Sequence, residues 1–193
     1  NNSYKSLLST GVIMSVIFMA NGVNAIISGF ESSTHLSVSR NFFRQYLIAI
    51  VLSVLISVML VISVAVYLTV EVLMHVSDNT WLADVGRSVF VMIMILLTVS
   101  ILYKFGTKET KHLSFISIGS VFTTILIMLT SSAFGIYVSK FAKYNELYGS
   151  IGTLLVIMIY IWINCMILLL GFELNAAIYI AKRKNLYISK NKL

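Results

Sequence analysis

The chain contains no proline, where average usage near 5% would supply about ten. The commonest cause of sharp kinks in long helices is therefore absent, and any break must fall at glycine. Cysteine is nearly absent too. Cys165 stands alone within an apolar run, so no intrachain disulfide is available and the redox compartment stays unread. The three histidines, His35, His75 and His112, fall in three separate predicted loops, and no carboxylate-histidine cluster offers ligands at helical spacing. No metal site and no cofactor are expected. Gly-x-Ser-x-Gly and glycine-rich phosphate loops are also missing, so hydrolytic catalysis is not expected and the chain does not read as an enzyme. It begins at Asn1 without an initiator methionine or a signal-peptide pattern, and reads as a fragment or processed product.

What is abundant is apolar. Hydrophobic residues make up 59% of the chain and charged ones 11%, too little polar surface to cover a water-soluble globule. Several apolar runs approach or exceed the roughly 20 residues that an α-helix needs to cross about 30 Å of hydrocarbon. The pattern predicts an all-α polytopic membrane helix bundle with five spans, near 7–27, 46–70, 88–105, 113–138 and 151–181, followed by a basic tail over 182–193. At 1.5 Å per residue the last span would reach about 45 Å, so it must tilt or project from the bilayer.

Cations distribute unevenly about these spans. Arg40, Arg44, Lys104, Lys108, Lys111, Lys182, Arg183, Lys184, Lys190 and Lys192 fall on one side, against Lys5, Arg87, Lys140 and Lys143 on the other. Glu71, Asp78, Asp84 and Glu146 flank the second set. The positive-inside rule places the C-terminus in the cytoplasm and Asn1 outside. Five spans with an outward start fit a preceding helix, giving six in an intact protein. The net charge of +7 is thereby assigned to topology, and no nucleic-acid partner is expected. The tail "AKRKNLYISKNKL" reads as a stop-transfer anchor facing anionic lipid. Trp81 has the placement of an interfacial anchor, and a homo-oligomer is compatible with the pattern.

Membrane helices associate through small residues and interhelical hydrogen bonds, so polar positions inside the spans carry the information. In the first span Gly11, Ser15, Gly22 and Gly29 fall within about 40° of one another, with Asn21 and Asn24 beside them. In the fourth, Ser117, Ser120, Thr124, Ser131 and Gly135 share a face within about 60°. Such faces serve helix packing, or else a hydrated cavity between the first, fourth and fifth spans. In the fifth, Asn164, Gly171 and Asn175 share one face, while Glu173 is about 180° from Asn164, aligned with Trp162, Met166 and Ala177. Glu173 reads either as an ion-pairing residue near the interface or as a solute- or proton-linked group.

The segments "FGIYVSKFAKYNELYGSIG" and "ILLLGFELNA" resemble the C-terminal signature of the YihY/BrkB family of bacterial inner-membrane proteins, once labelled ribonuclease BN. The matching positions are Phe134, Tyr137, Phe141, Tyr144, Tyr148, Gly149, Ser150, Gly171, Glu173, Leu174 and Asn175. Where the family has Trp-x-Tyr, this chain has Tyr160 and Trp162. Phe172 replaces the usual alanine, and "KFGTKETK" lacks the prolines of the family's basic loop. The resemblance implies six spans with both ends cytoplasmic, agreeing with the charge count, and for some relatives an association with serum resistance or virulence. The expected function is transport or efflux of a small polar or ionic solute. Glu173 would act as a charge or proton-coupling group, and Asn164, Asn175, Asn21, Asn24 and Ser131 as polar contacts. A non-transporting envelope-integrity scaffold is the alternative, and a membrane-bound tRNA-processing ribonuclease a third reading.

The topology has a direct check. A fluorescent protein fused after Leu193 should fluoresce and alkaline phosphatase fused there should stay inactive; active phosphatase at that position would invert the assignment.

Overall fold

The computed structural model describes residues 2–33, 41–74, 80–106, 114–141 and 145–190. They form five helices, α1 (Asn2–Ser33), α2 (Phe42–Met74), α3 (Thr80–Gly106), α4 (Ile118–Phe141) and α5 (Asn145–Lys190), and no strand occurs among the described residues. Each contains a stretch long and apolar enough to cross a membrane: Lys5–Ser33, Phe43–Glu71, Asp84–Gly106, Ile118–Lys140 and Gly152–Lys182. All five expected spans are present as helices.

The helices outrun the apolar stretches that announced them. Hydropathy reports where side chains prefer lipid, whereas a helix continues while its backbone bonds are made and no proline interrupts them. Thus α3 starts at Thr80 and takes in Trp81 and Arg87, and α5 runs 46 residues, about 69 Å, through the basic segment to Lys190. The fourth span instead starts later than hydropathy suggests, at Ile118 rather than Leu113, and Leu113 lies outside the described residues. The reason is local and lies in the serine pair around the helix start, described below.

Two compact units divide the chain, Asn1–Phe115 and Ile116–Leu193. In the first, α2 packs against both α1 and α3. Its buried positions gather at one end: Ala20, Val23, Ile27 and Phe30 on α1, Ala49, Leu52 and Ser53 on α2, and Val99 to Tyr103 on α3. The α1 positions recur at three- and four-residue steps, one helical face. Phe30 meets Tyr103 edge to face, with ring centroids 5.6 Å apart and planes at 76°. Beside them, a Cβ at Gly106 would lie 3.6 Å from Ile27 Cγ1 and 3.9 Å from Phe30 Cδ2, so the helices approach closely there. The Gln45 side-chain amide donates to Ser28 Oγ across α1 and α2 at 2.9 Å.

The glycine ridge on α1 is not this seam. A Cβ at Gly11, Gly22 or Gly29 would meet nothing within 4 Å, and Ser15 donates to the Gly11 carbonyl of its own helix. Most large apolar side chains are exposed, as a lipid-facing surface requires. In the second unit α4 and α5 pack as a hairpin, with Ser120, Thr123, Thr124, Gly171, Phe172 and Asn175 buried.

Because lipid shields an apolar ring as well as protein does, the core aromatics contribute packing more than hydrophobic transfer. Phe30→Ala should lower the unfolding midpoint in detergent, by less than the about 3–5 kcal/mol typical of a water-soluble core. Phe18→Ala, on an exposed position of the same helix, should leave it unchanged.

Candidate functional site

The densest polar constellation surrounds the start of α4. A helix exposes its first four N–H groups, and at the edge of an apolar span water is scarce. Ser117 acts as the N-cap: its carbonyl accepts from Val121 N at 3.1 Å and its Oγ accepts from Ser120 N at 3.2 Å. Ser120 answers in kind, its Oγ accepting from Ser117 N at 3.0 Å and donating to Ser117 O at 2.8 Å. This is a reciprocal capping box with serine in the position usually held by glutamate or glutamine.

The next N–H is satisfied from another helix. Gly119 N donates to Asn175 Oδ1 at 2.8 Å, and Asn175 Nδ2 donates to Ser117 Oγ at 2.8 Å. One carboxamide of α5 therefore uses both its acceptor and its donor to hold the beginning of α4. Only glycine allows the approach, since a Cβ at position 119 would overlap the Gly171 carbonyl oxygen and the Asn175 carboxamide. About three turns further along α4, Ser131 Oγ and the Tyr160 hydroxyl share a hydrogen bond of 2.8 Å. The Tyr160 ring lies 4.6 Å from that of Phe134, which in turn lies 6.0 Å from Tyr137.

Against the expected site, the structure sorts the residues into two groups. Asn175, Ser131 and Asn164 are already engaged by protein, Asn164 by donating to the Tyr160 carbonyl four residues earlier at 2.8 Å. Asn21 and Glu173 are exposed, and Glu173 makes no hydrogen bond or ion pair with a described residue although it lies within the apolar stretch Gly152–Lys182. Asn24 is half-buried, and its Oδ1 is shielded without a partner. Asn21 and Asn24 belong to the first unit, and Ser131, Asn164, Glu173 and Asn175 to the second.

The signature residues divide the same way. Gly171, Asn175 and Phe134 make contacts between α4 and α5; Leu174 is half-buried; Tyr137 is 41% exposed, and Glu173 lies on the opposite side of its helix from Asn164. Phe141, Tyr148, Gly149 and Ser150 are described by their helical backbone alone, and Tyr144 lies outside the described residues.

Sequence reasoning overlooked Glu31. Its Oε1 is shielded and without a partner, as is Ser100 Oγ on α3, and Ser100 is 1% exposed. Glu31 follows Asn24 by seven residues, which returns it to within about 20° of the same face. That spacing was available as a signal, but Glu31 lies at the end of its span, where a carboxylate reads as an ordinary boundary charge. Gly119 was overlooked as well, although it sits inside the Ser117–Ser120 capping pair. Among the described residues no group of three His, Cys, Asp or Glu side chains comes together as metal ligands.

Fold and site together define an all-helical multi-pass membrane protein whose last hairpin is fastened by side chains of its C-terminal signature. A model of the family described as Virulence factor BrkB matches residues 1–191, and the chain belongs to that family. It is similar to the ribonuclease-like protein YfkH of Bacillus subtilis (strain 168), 34% identical over 194 residues, which cover 96% of this chain and 70% of that protein. A UPF0761 membrane protein of Pseudoalteromonas translucida (strain TAC 125) is 35% identical over 60 residues, 31% of this chain and 20% of the relative. Another, from Vibrio parahaemolyticus, is 29% identical over 77 residues, 40% of this chain and 24% of the relative. No solved structure matches.

Gly119→Ala should destabilise the protein by on the order of 1–3 kcal/mol despite alanine's better helix propensity, because the new methyl group meets backbone. Gly135→Ala, in open space on the same helix, should be neutral or stabilising by up to about 1 kcal/mol. Thermal unfolding of the two variants in one detergent checks both.

Proposed function

We propose that the protein carries a small polar or cationic solute across the bilayer. One observation supports this reading above others: oxygen atoms within stretches long and apolar enough to cross a membrane have no donor among the described residues. Asn24 Oδ1, Glu31 Oε1 and Ser100 Oγ are shielded and unpartnered, and the Glu173 carboxylate has no partner among the described residues. An unsatisfied polar atom in hydrocarbon costs several kcal/mol by order of magnitude, and ionisable residues there mark solute and ion pathways. Atoms that only accept, or can rotate to accept, fit an occupant that brings donors or positive charge. Such occupants are a protonated amine, a metal cation or a hydrated proton.

A scaffold in the cell envelope is the second reading, favoured by Asn175 and Ser131, whose polar groups are spent on joining α4 to α5, and by Asn164, whose amide is spent on a carbonyl of its own helix. In both readings the protein sits in the inner membrane with its C-terminus inside, and the basic end of α5 faces anionic lipid. The ribonuclease reading, implied by the family's former label, is echoed in the B. subtilis relative's name, and metal-dependent cleavage of tRNA by the purified protein would establish it.

Thermal unfolding across a panel of cations and small amines separates the first two. A ligand of the native state raises the midpoint by mass action, worth about 2.7 kcal/mol at one hundred times its Kd. Wild type should gain stability with at least one solute. Glu31→Gln with Asn24→Leu, or Glu173→Gln, should remove the gain while leaving the unliganded midpoint near wild type. Identical responses in all variants, or none in wild type, would move the assignment to the scaffold.

A further inference from the structure

One cation inside a span has no counterpart in the proposed pathway. Arg87 lies three residues inside the apolar stretch Asp84–Gly106, and Tyr67 lies four residues inside the end of Phe43–Glu71. Both are thus about 5–6 Å inside the apolar edge, at the tip of the α2–α3 hairpin. The Arg87 guanidinium carbon is 5.1 Å from the centre of the Tyr67 ring, and Arg87 is half-buried. Its Nε is shielded and without a hydrogen-bond partner. Glu71, one turn beyond Tyr67, and Asp84, nearly one turn before Arg87, are the described carboxylates nearest in sequence. Arg87 forms no ion pair with either or with any other described residue. Trp81, 72% exposed, stands one and a half turns nearer the hairpin tip, where aromatic anchors mark the headgroup region.

We propose that Arg87, held over the Tyr67 ring, is a binding site for a phosphodiester oxyanion at the headgroup level of the α2–α3 hairpin. The ring covers the guanidinium and Nε is sealed, so Nη1 and Nη2 are the groups for a ligand. Two parallel N–H bonds from a planar fork match two oxygens of a phosphate. Stacking on the ring orders the side chain beforehand, which lowers the entropy lost on binding. The two carboxylates at the apolar edge select against a dianion and favour a singly charged phosphodiester. That chemistry belongs to a phospholipid headgroup, and a free phosphate shares its oxygens. The site does not depend on whether a solute is transported.

The test is thermal unfolding of the full-length protein in detergent, titrated with phosphatidylglycerol, with inorganic phosphate, and with an uncharged glycolipid as reference. Wild type should be stabilised by phosphatidylglycerol over the glycolipid. The apparent affinity should fall at least about tenfold in Arg87→Gln and measurably in Tyr67→Leu. Lys182→Gln, at the far end of α5, should leave the Arg87-dependent part intact. A phosphate response lost in Arg87→Gln supports the site with a soluble anion as its ligand. No response in wild type, or an undiminished one in Arg87→Gln, overturns the proposal. Undiminished affinity in Arg87→Lys also overturns it, since a point charge would then suffice without fork or ring. If Arg87→Gln does not fold, Tyr67→Leu and Arg87→Lys decide the question.

Discussion

A helix that starts at the edge of a bilayer must dispose of N–H groups that water no longer reaches, and the second unit is arranged around that requirement. Ser117 and Ser120 satisfy two donors locally, and Asn175 reaches from α5 to satisfy a third. The same carboxamide fixes which turn of α5 stands beside the start of α4. Gly119 supplies the space, and the Gly171 carbonyl bounds it. Once that end is set, the antiparallel course of the hairpin brings Ser131 and Phe134 to Tyr160, where a hydroxyl pair and a stacked ring fasten a second level.

Helical periodicity decides which aromatic of α5 takes part in that second level. Tyr160 and Trp162 stand two residues apart on α5. Positions 160 and 162 differ by about 200° around the helix, so only one faces α4. Tyr160 takes it, with a hydroxyl able to reach Ser131, while Trp162 is 63% exposed, where its ring suits lipid.

The first unit holds its polar groups differently. Its core is apolar and close-packed at one end, and the oxygens of Asn24, Glu31 and Ser100 are enclosed without donors. Asn175 and Ser131 are satisfied across the α4–α5 seam, whereas the shielded oxygens of α1 and α3 are the ones that the transport proposal assigns to an occupant. By that criterion the emphasis moves from the asparagines of α5 to the α1 face carrying Asn24 and Glu31. Glu173 keeps its interest for the opposite reason, as an exposed carboxylate within an apolar stretch, beside signature residues Gly171 and Asn175 that are spent on contact with α4.

The sequence by itself determined that the chain is a polytopic helical membrane protein, how many spans it has, and the family to which it belongs. Those properties follow from lengths of apolar sequence and from a spaced signature, both written along one strand of residues. Helical periodicity also put Asn164, Gly171 and Asn175 on one face and Glu173 on the other. Only the tertiary structure decided what each face meets. Asn175 and Ser117 are 58 residues apart, and no local pattern tells that one carboxamide would cap a distant helix. The Gly11–Gly29 ridge and the Ser117–Thr124 face look alike as strings of small residues, yet one meets open space and the other a helix. Small residues permit close approach from any direction, and which direction is filled depends on where the rest of the chain passes.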